Sequence, residues 1–176
     1  MYRLESFGNG YAVVAKPSEN YRAEFIAPTA EEADSLVVEL NQPVMLEDLA
    51  IYRFMREVGG LDLPGGLHVL TDRESQAQLS SAFVTLQSGL VPDTDWKAAN
   101  GWEVVTLEQV TPIAKAVAAH VRGCFRGERT VQTAILAAGT MAEIEAIDIR
   151  GQFDAAYAEA FTEVMAPPDP AATPAT

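Results

Sequence analysis

The chain has 176 residues, enough for one domain with a small appendage, and 48% of them are hydrophobic, as in a globular protein with a core. Twelve Lys and Arg against 25 Asp and Glu leave a formal charge of −13, which argues against nucleic acid or an anionic membrane as partner, since both select positive charge. No apolar run approaches the ~18 residues that span a bilayer, no signal-peptide pattern opens the chain, and its single cysteine permits no internal disulfide, so folding in a cytoplasm is the simplest expectation.

Residues 2 to 16 alternate in polarity and predict a hairpin about Asn9-Gly10, a pair that tolerates the positive φ of a tight turn. That turn pairs Phe7 with Ala12 and Leu4 with Ala15. Tyr2, Leu4, Tyr11, Val13 and Ala15 then share one face, and Arg3, Glu5, Phe7 and Lys16 the other. Pro17-Ser18-Glu19-Asn20 makes a second turn. A third strand follows over Tyr21 to Ala27, with Tyr21, Ala23 and Phe25 opposed to Arg22 and Glu24. Thr29 and Glu32 have capping-box spacing at the head of a helix whose apolar residues are Ala30, Ala33, Val37 and Leu40. Asn41-Gln42-Pro43 ends it.

A second helix is expected from Leu46 to Val58, started by Glu47 and Asp48, burying Ile51, Phe54, Met55 and Val58, and stopped by Gly59-Gly60. Leu61 to Leu63 and Leu67 to Leu70 form a short hairpin about Pro64-Gly65-Gly66. After Thr71 a third helix runs from Asp72 to about Ser88, with Leu79, Phe83, Val84 and Leu86 among its apolar residues, and a loop spans residues 89 to 95. Asn100-Gly101 then predicts a second tight hairpin, opposing Ala99 to Trp102, Ala98 to Glu103, Lys97 to Val104 and Trp96 to Val105. Opposed residues share a face, so Trp96 and Val105 lie on one side and Trp102 and Val104 on the other. A hairpin that is apolar on both sides is a packed element or an interface.

Thr106 and Gln109 repeat the capping-box spacing. Leu107, Val110, Ala114, Val117, Val121 and Cys124 recur at steps of three and four, and Ile113, Ala118 and Phe125 widen the stripe. Pro112 predicts a kink, or a restart with Thr111 as cap. Gly127 weakens the helix, which resumes through Val131, Ile135 and Leu136 until Gly139 stops it. Thr140 and Glu143 cap a short helix through Ile147. Residues 152 to 165 predict a last helix with Phe153, Tyr157, Phe161 and Val164 on one face. Residues 166–176, with four prolines, read as a flexible tail. The fold class is α+β: an N-terminal three-stranded antiparallel meander plus helix, then a helix-rich domain with two short β-hairpins. Its parts are a β-rich attachment unit at 1–41, an α+β domain at 46–149, a C-terminal helix at 150–165 and the tail.

Few residues suggest chemistry. His120 and Cys124 stand four apart on a helix, but zinc takes three or four ligands, and only His68 remains as a further histidine. Cys124 therefore reads as a small core residue and His120 as the edge of the packed face. As a nucleophile pair they lack an orienting acid or oxyanion donor. Glu31-Glu32, Glu47-Asp48 and Glu143-Glu145 fall in first helical turns, where dipole complementarity explains them. Gly8-Asn9-Gly10 and Pro64-Gly65-Gly66 are turns, not phosphate loops. The two tryptophans have the chemistry to stack on sugar rings, but aromatics more often serve a core. No separated carboxylate pair marks a glycan-degrading enzyme.

An ordered set of segments carries a resemblance: EVGGLDL, GGLHVLTDRESQAQL, WKAANGWEVVTLEQV, AVAAHVRGCFRGE and TMAEIEAIDI. Over Leu46 to about Ile149 the chain resembles a domain of unknown function common in bacteriophage and prophage tail-fibre and tail-fibre-assembly proteins. The resemblance implies a structural component of a phage tail (fibre, distal tail or baseplate-associated) that acts through protein–protein contacts. Its implied partners are other tail, fibre or baseplate subunits and further copies of itself as a homo-oligomer, with no nucleic acid and no membrane insertion. Its implied place is the virion tail, after synthesis in the bacterial host cytoplasm. The alternative is a tail-fibre assembly chaperone absent from the mature virion. The resemblance brings no catalytic residue, no cofactor-binding residue and no metal ligand, so no enzyme is expected.

Overall fold

A computed structural model describes residues 1–8, 10–14, 23–98 and 101–167, with backbone alone for Phe7, Val14, Ala23, Glu24 and Ala98. In chain order the elements are β1 (Arg3–Phe7), β2 (Gly10–Val14), β3 (Ala23–Ala27), α1 (Ala30–Val58), β4 (Leu61–Leu63), β5 (Leu67–Val69), α2 (Arg73–Gln87), β6 (Asp93–Ala98), β7 (Gly101–Thr106), α3 (Leu107–Ala137), α4 (Met141–Glu145) and α5 (Ile149–Met165). The fold is α+β, with one three-stranded antiparallel sheet and two two-stranded hairpins among the described residues. Two compact units divide the chain: Met1–Arg53 with Gly127–Asp154, and Phe54–Arg126 with Ala155–Thr176. This division passes through α1, α3 and α5. Of the expected tail, residues 168–176 lie outside the described chain.

In the first unit, β1 pairs β2 with Leu4 opposite Val13 and Phe7 opposite Gly10. The register is thus displaced by two from that expected about Asn9-Gly10. Because strand side chains repeat every second residue, a shift of two leaves each on its expected face. Tyr2, Leu4 and Val13 pack with Ala27, Ala33 and Val37, joined by Leu36, Leu40 and Met141. Gly8 supplies positive backbone dihedral freedom at φ 60°. Asn9, Ala15, Lys16, the turn at Pro17-Ser18-Glu19-Asn20, Tyr21 and Arg22 lie outside the described residues.

The expected break at Asn41-Gln42-Pro43 does not occur: α1 is one helix of 29 residues with Pro43 inside it. A proline there costs about 3 kcal/mol of helix propensity, and tertiary bonds on either side offset it. The buried Asn41 side chain accepts from the Tyr2 N–H at 2.7 Å and donates to the Tyr2 carbonyl at 3.0 Å. Gln42 donates to the carbonyls of Ile135 and Ala138 at 3.0 and 3.2 Å, satisfying acceptors that the end of α3 leaves open. Continuity also resets the inward face. Val37, Asn41, Met45 and Leu49 are buried at steps of four, while Ile51, Phe54 and Met55, expected inside, are exposed. Glu47 and Asp48 consequently stand in mid-helix, not in a first turn.

The cap of α4 agrees with the sequence, whereas at the head of α3 the Thr106 N–H and hydroxyl both donate to the Gln109 side chain. Thr140 and Glu143 form a complete capping box for α4, which starts where expected and ends at Glu145. Phe153 is fully buried, and Tyr52 meets it edge-on at 5.0 Å. Gly127 does not interrupt α3. It lets the helix backbone reach the Phe153 ring, since a Cβ at 127 would lie 2.8 Å from Phe153 Cδ2. Pro112 is likewise accommodated without a restart, being only the sixth residue of α3, where few intrahelical bonds are lost.

In the second unit, Gly60 (φ 91°) ends α1 as expected and donates its N–H to the Thr71 hydroxyl at 2.9 Å. Asp72 caps α2 by accepting from the N–H groups of Glu74 and Ser75. Leu79 and Leu86 of α2 pack with Val110 and Val117 of α3, and Phe83, Trp96, Val105, Ile113 and Val121 surround them. Val84, Ala118 and Phe125, expected in apolar stripes, are exposed.

Gly127→Ala should destabilise the chain, because the ring it would meet has no space to move. Overpacking of 1–3 kcal/mol, less the ~1 kcal/mol that alanine adds to helix propensity, leaves a net loss of about 0–2 kcal/mol, centred near 1 kcal/mol. Urea denaturation read by circular dichroism checks it. Increased stability would mean that Phe153 does not hold this position.

Candidate functional site

The β6–β7 hairpin belongs to the second unit. Ala98 opposes Gly101, Lys97 opposes Trp102, Trp96 opposes Glu103 and Asp95 opposes Val104. The expected pairs (Ala99 with Trp102, Lys97 with Val104, Trp96 with Val105) are thus each displaced by two, and residues 99 and 100, which the strands enclose, lie outside the described chain. A two-residue slip again keeps the faces. Trp96 and Val105 turn inward against the α2–α3 core. Trp102 and Val104 turn outward and are 72% and 59% exposed.

Beside the hairpin is a groove of about 430 Å³, within the size range of small-ligand pockets. One wall is α2, through Gln78, Ser81, Thr85 and Leu86. The other is β6, through Thr94, Asp95, Trp96 and Lys97, with Trp102 at the rim. The Lys97 ammonium stands 5.9 Å from the centre of the Trp102 ring, a cross-strand cation–π contact. Asp93, Asp95 and Lys97 are exposed. The surface therefore combines an aromatic plate, two carboxylates, one ammonium and the edge of a strand. That set suits recognition by contact.

The same unit holds a buried polar chain that sequence reasoning underestimated. His120 is 1% exposed, well inside the packed face whose edge it was expected to occupy. Its Nε2 lies 3.1 Å from the Glu57 carbonyl and its Nδ1 2.8 Å from the Tyr157 hydroxyl. A carbonyl only accepts, so Nε2 carries the proton and Nδ1 accepts from Tyr157. The neutral imidazole is fully satisfied. Burial pulls its pKa below 6.5; the Glu57 carbonyl works against that shift, and the charge of Arg56 adds to it. Tyr157 reaches this place because Gly123 has no side chain: a Cβ there would lie 2.7 Å from its ring. Arg56 stands 5.0 Å over the same ring.

Cys124 is buried, with Sγ 4.0 Å from His120 Nε2, so the two residues paired in the sequence do meet. His68 is elsewhere, exposed on β5 and 2.7 Å from Asp62. No group of three or more potential metal ligands comes together among the described residues. The two tryptophans occupy opposite faces of the hairpin and form no joint platform. Tyr157 and Gly123 carried the available signal for the histidine site, an aromatic on α5 and a glycine one turn from another glycine. The Glu57 carbonyl carried none, because it is backbone.

No helix among the described residues is long and apolar enough to cross a membrane. Residues 41–151, more than half of the chain, match the family model described as Domain of unknown function (DUF4376). No curated protein and no solved structure matches the chain.

The His120 site gives a pH dependence with a definite sign. Its folded pKa is below its unfolded value, so the unfolded chain binds the extra proton first. Stability from this group is complete above about 6.5 and falls as pH drops below it. Asp72, Glu143 and Glu163, held low by Ser75, by Gly139 and Thr140, and by Arg122 respectively, lose their contributions only in the more acid carboxylate range. Urea denaturation between about pH 5 and about pH 8 should show the decline in the wild type and a flattened profile in His120→Gln. Equal slopes in both would rule out His120 as the titrating group.

Proposed function

The chain belongs to the DUF4376 family, and we propose that it is a structural component of a bacteriophage tail, associated with the fibre, distal tail or baseplate and acting through protein–protein contacts. Two things support this reading. The ordered segments between Leu46 and Ile149 resemble those of tail-fibre and tail-fibre-assembly proteins. The observation that carries it structurally is the outward face of the β6–β7 hairpin, where Trp102 and Val104 present apolar area to solvent. Aromatic residues of this kind anchor protein interfaces. The partners proposed are other tail, fibre or baseplate subunits and further copies of the chain, and the proposed location is the virion tail after synthesis in the host cytoplasm.

The second reading is an assembly chaperone that holds a fibre subunit through the same surface and leaves before the virion matures. Mass spectrometry of purified particles separates the two. The structural reading expects the chain at stoichiometric level; its absence from particles, with recovery on unassembled fibre subunits from the producing cell, would transfer the function to the chaperone. The contact residue is tested in parallel. Trp102→Ala should shift folding stability by no more than about 1 kcal/mol, since its surroundings are open, yet weaken capture of the cognate tail subunit by about 2 kcal/mol or more. Undiminished capture would remove Trp102 from the interface.

A further inference from the structure

The β6 strand pairs with β7 along one edge, and among the described residues no strand covers the other. Thr94, Asp95, Trp96 and Lys97 all line the groove. Successive strand side chains point to opposite faces, so four in a row lining one groove fits a groove that runs along the strand's unpaired edge, with α2 as its facing wall. Such an edge is a template for a further strand.

We propose that this edge receives β6 of a second copy of the chain, antiparallel about a twofold axis at Trp96, giving a four-stranded sheet in the order β7-β6-β6-β7. The pattern of charges selects the occupant and the register. With Trp96 opposite Trp96, Asp95 of each copy faces Lys97 of the other, twice, on the outer face. Shifting by two pairs Asp93 with Lys97 but sets Asp95 against Asp95. Shifting by one turns the inner face of one copy to the solvent side of the other. The first register is therefore self-complementary and its neighbours are not. It extends the outer face into rows that run Trp102, Lys97, then Asp95 and Val104 of the second copy. Net charges of −13 on each chain oppose association at long range, but at physiological ionic strength the screening length is about 8 Å, so close pairs decide.

This pairing uses the hairpin that the tail reading treats as a contact surface, yet it fails separately. A monomeric chain removes the dimer without bearing on virion incorporation, and particles lacking the chain do not touch the dimer. Size exclusion with light scattering over a dilution series of the full chain is the test. The wild type should reach twice the monomer mass. Asp95→Lys and Lys97→Asp should each weaken dimerisation by about tenfold or more, because each sets like charges opposite one another. An equimolar mixture of the two variants should regain it, since both lysines of one variant would then face aspartates of the other, and the double variant should regain it alone. Circular dichroism confirms folding; if a reversal unfolds the chain, Asp95→Asn and Lys97→Gln should weaken the dimer in the same direction. A wild type that stays monomeric at every concentration, single variants that dimerise undiminished, or a mixture and double variant that stay monomeric each overturn the pairing.

Discussion

The structure depends on places where α3 gives up a side chain so that a ring of α5 can reach its backbone. Gly123 accepts Tyr157 and Gly127 accepts Phe153, each at a distance no Cβ would permit. Both glycines weaken α3 taken alone, by about 1 kcal/mol each relative to alanine. Each is compensated by burial of a ring, worth roughly 2–3 kcal/mol at the usual coefficient for apolar area. The Tyr157 contact has a second consequence. It brings a hydroxyl to His120 Nδ1, which leaves Nε2 to donate to the Glu57 carbonyl near the end of α1. A buried histidine without those partners would cost more than its packing returns. The polar chain and the close approach of the helices are thus one device.

Local chemistry was legible in the sequence; tertiary compensation was not. The Thr140–Glu143 box, the Asp72 start and the Gly60 stop depend on groups a few residues apart, and each stands where spacing put it. Asn41-Gln42-Pro43 has the form of a helix end, and it fails as one because Asn41 bonds Tyr2 and Gln42 bonds Ile135 and Ala138, residues far away along the chain. Once that break disappears, the inward face of α1 changes with it, and Ile51, Phe54 and Met55 come out. The hairpins fall between these cases. Both registers are displaced by two from those expected about Asn9-Gly10 and Asn100-Gly101, yet the faces survive because strand side chains repeat every second residue.

The candidate surface was legible to the same degree. Alternation around Trp96 and Trp102 said that the two rings diverge, and that needed no knowledge of the core. Which ring is buried required α2 and α3 to be in place, and the groove between α2 and the free edge of β6 required both elements and the strand register. His120 was misplaced for the opposite reason. A histidine on an apolar stripe reads as marginal until a hydroxyl and a carbonyl arrive from other elements to satisfy it.

The outward position of Trp102 is the point at which stability and function separate. Its side chain touches Lys97 across the strand, and such cross-strand or cation–π contacts are worth ~0.2–1 kcal/mol at exposed sites. A threonine or lysine would serve β7 nearly as well, since the inner face, not the outer one, meets the core. Covering the ring is different in scale. A tryptophan buries 150–250 Å², and most of that area is still open here. At about 25 cal/mol per Å² its burial is worth roughly 3–4 kcal/mol. The fold gains little by placing tryptophan there, and an interface gains several times more. Folding alone therefore does not account for Trp102, and the proposed docking role would supply the burial that the fold leaves open.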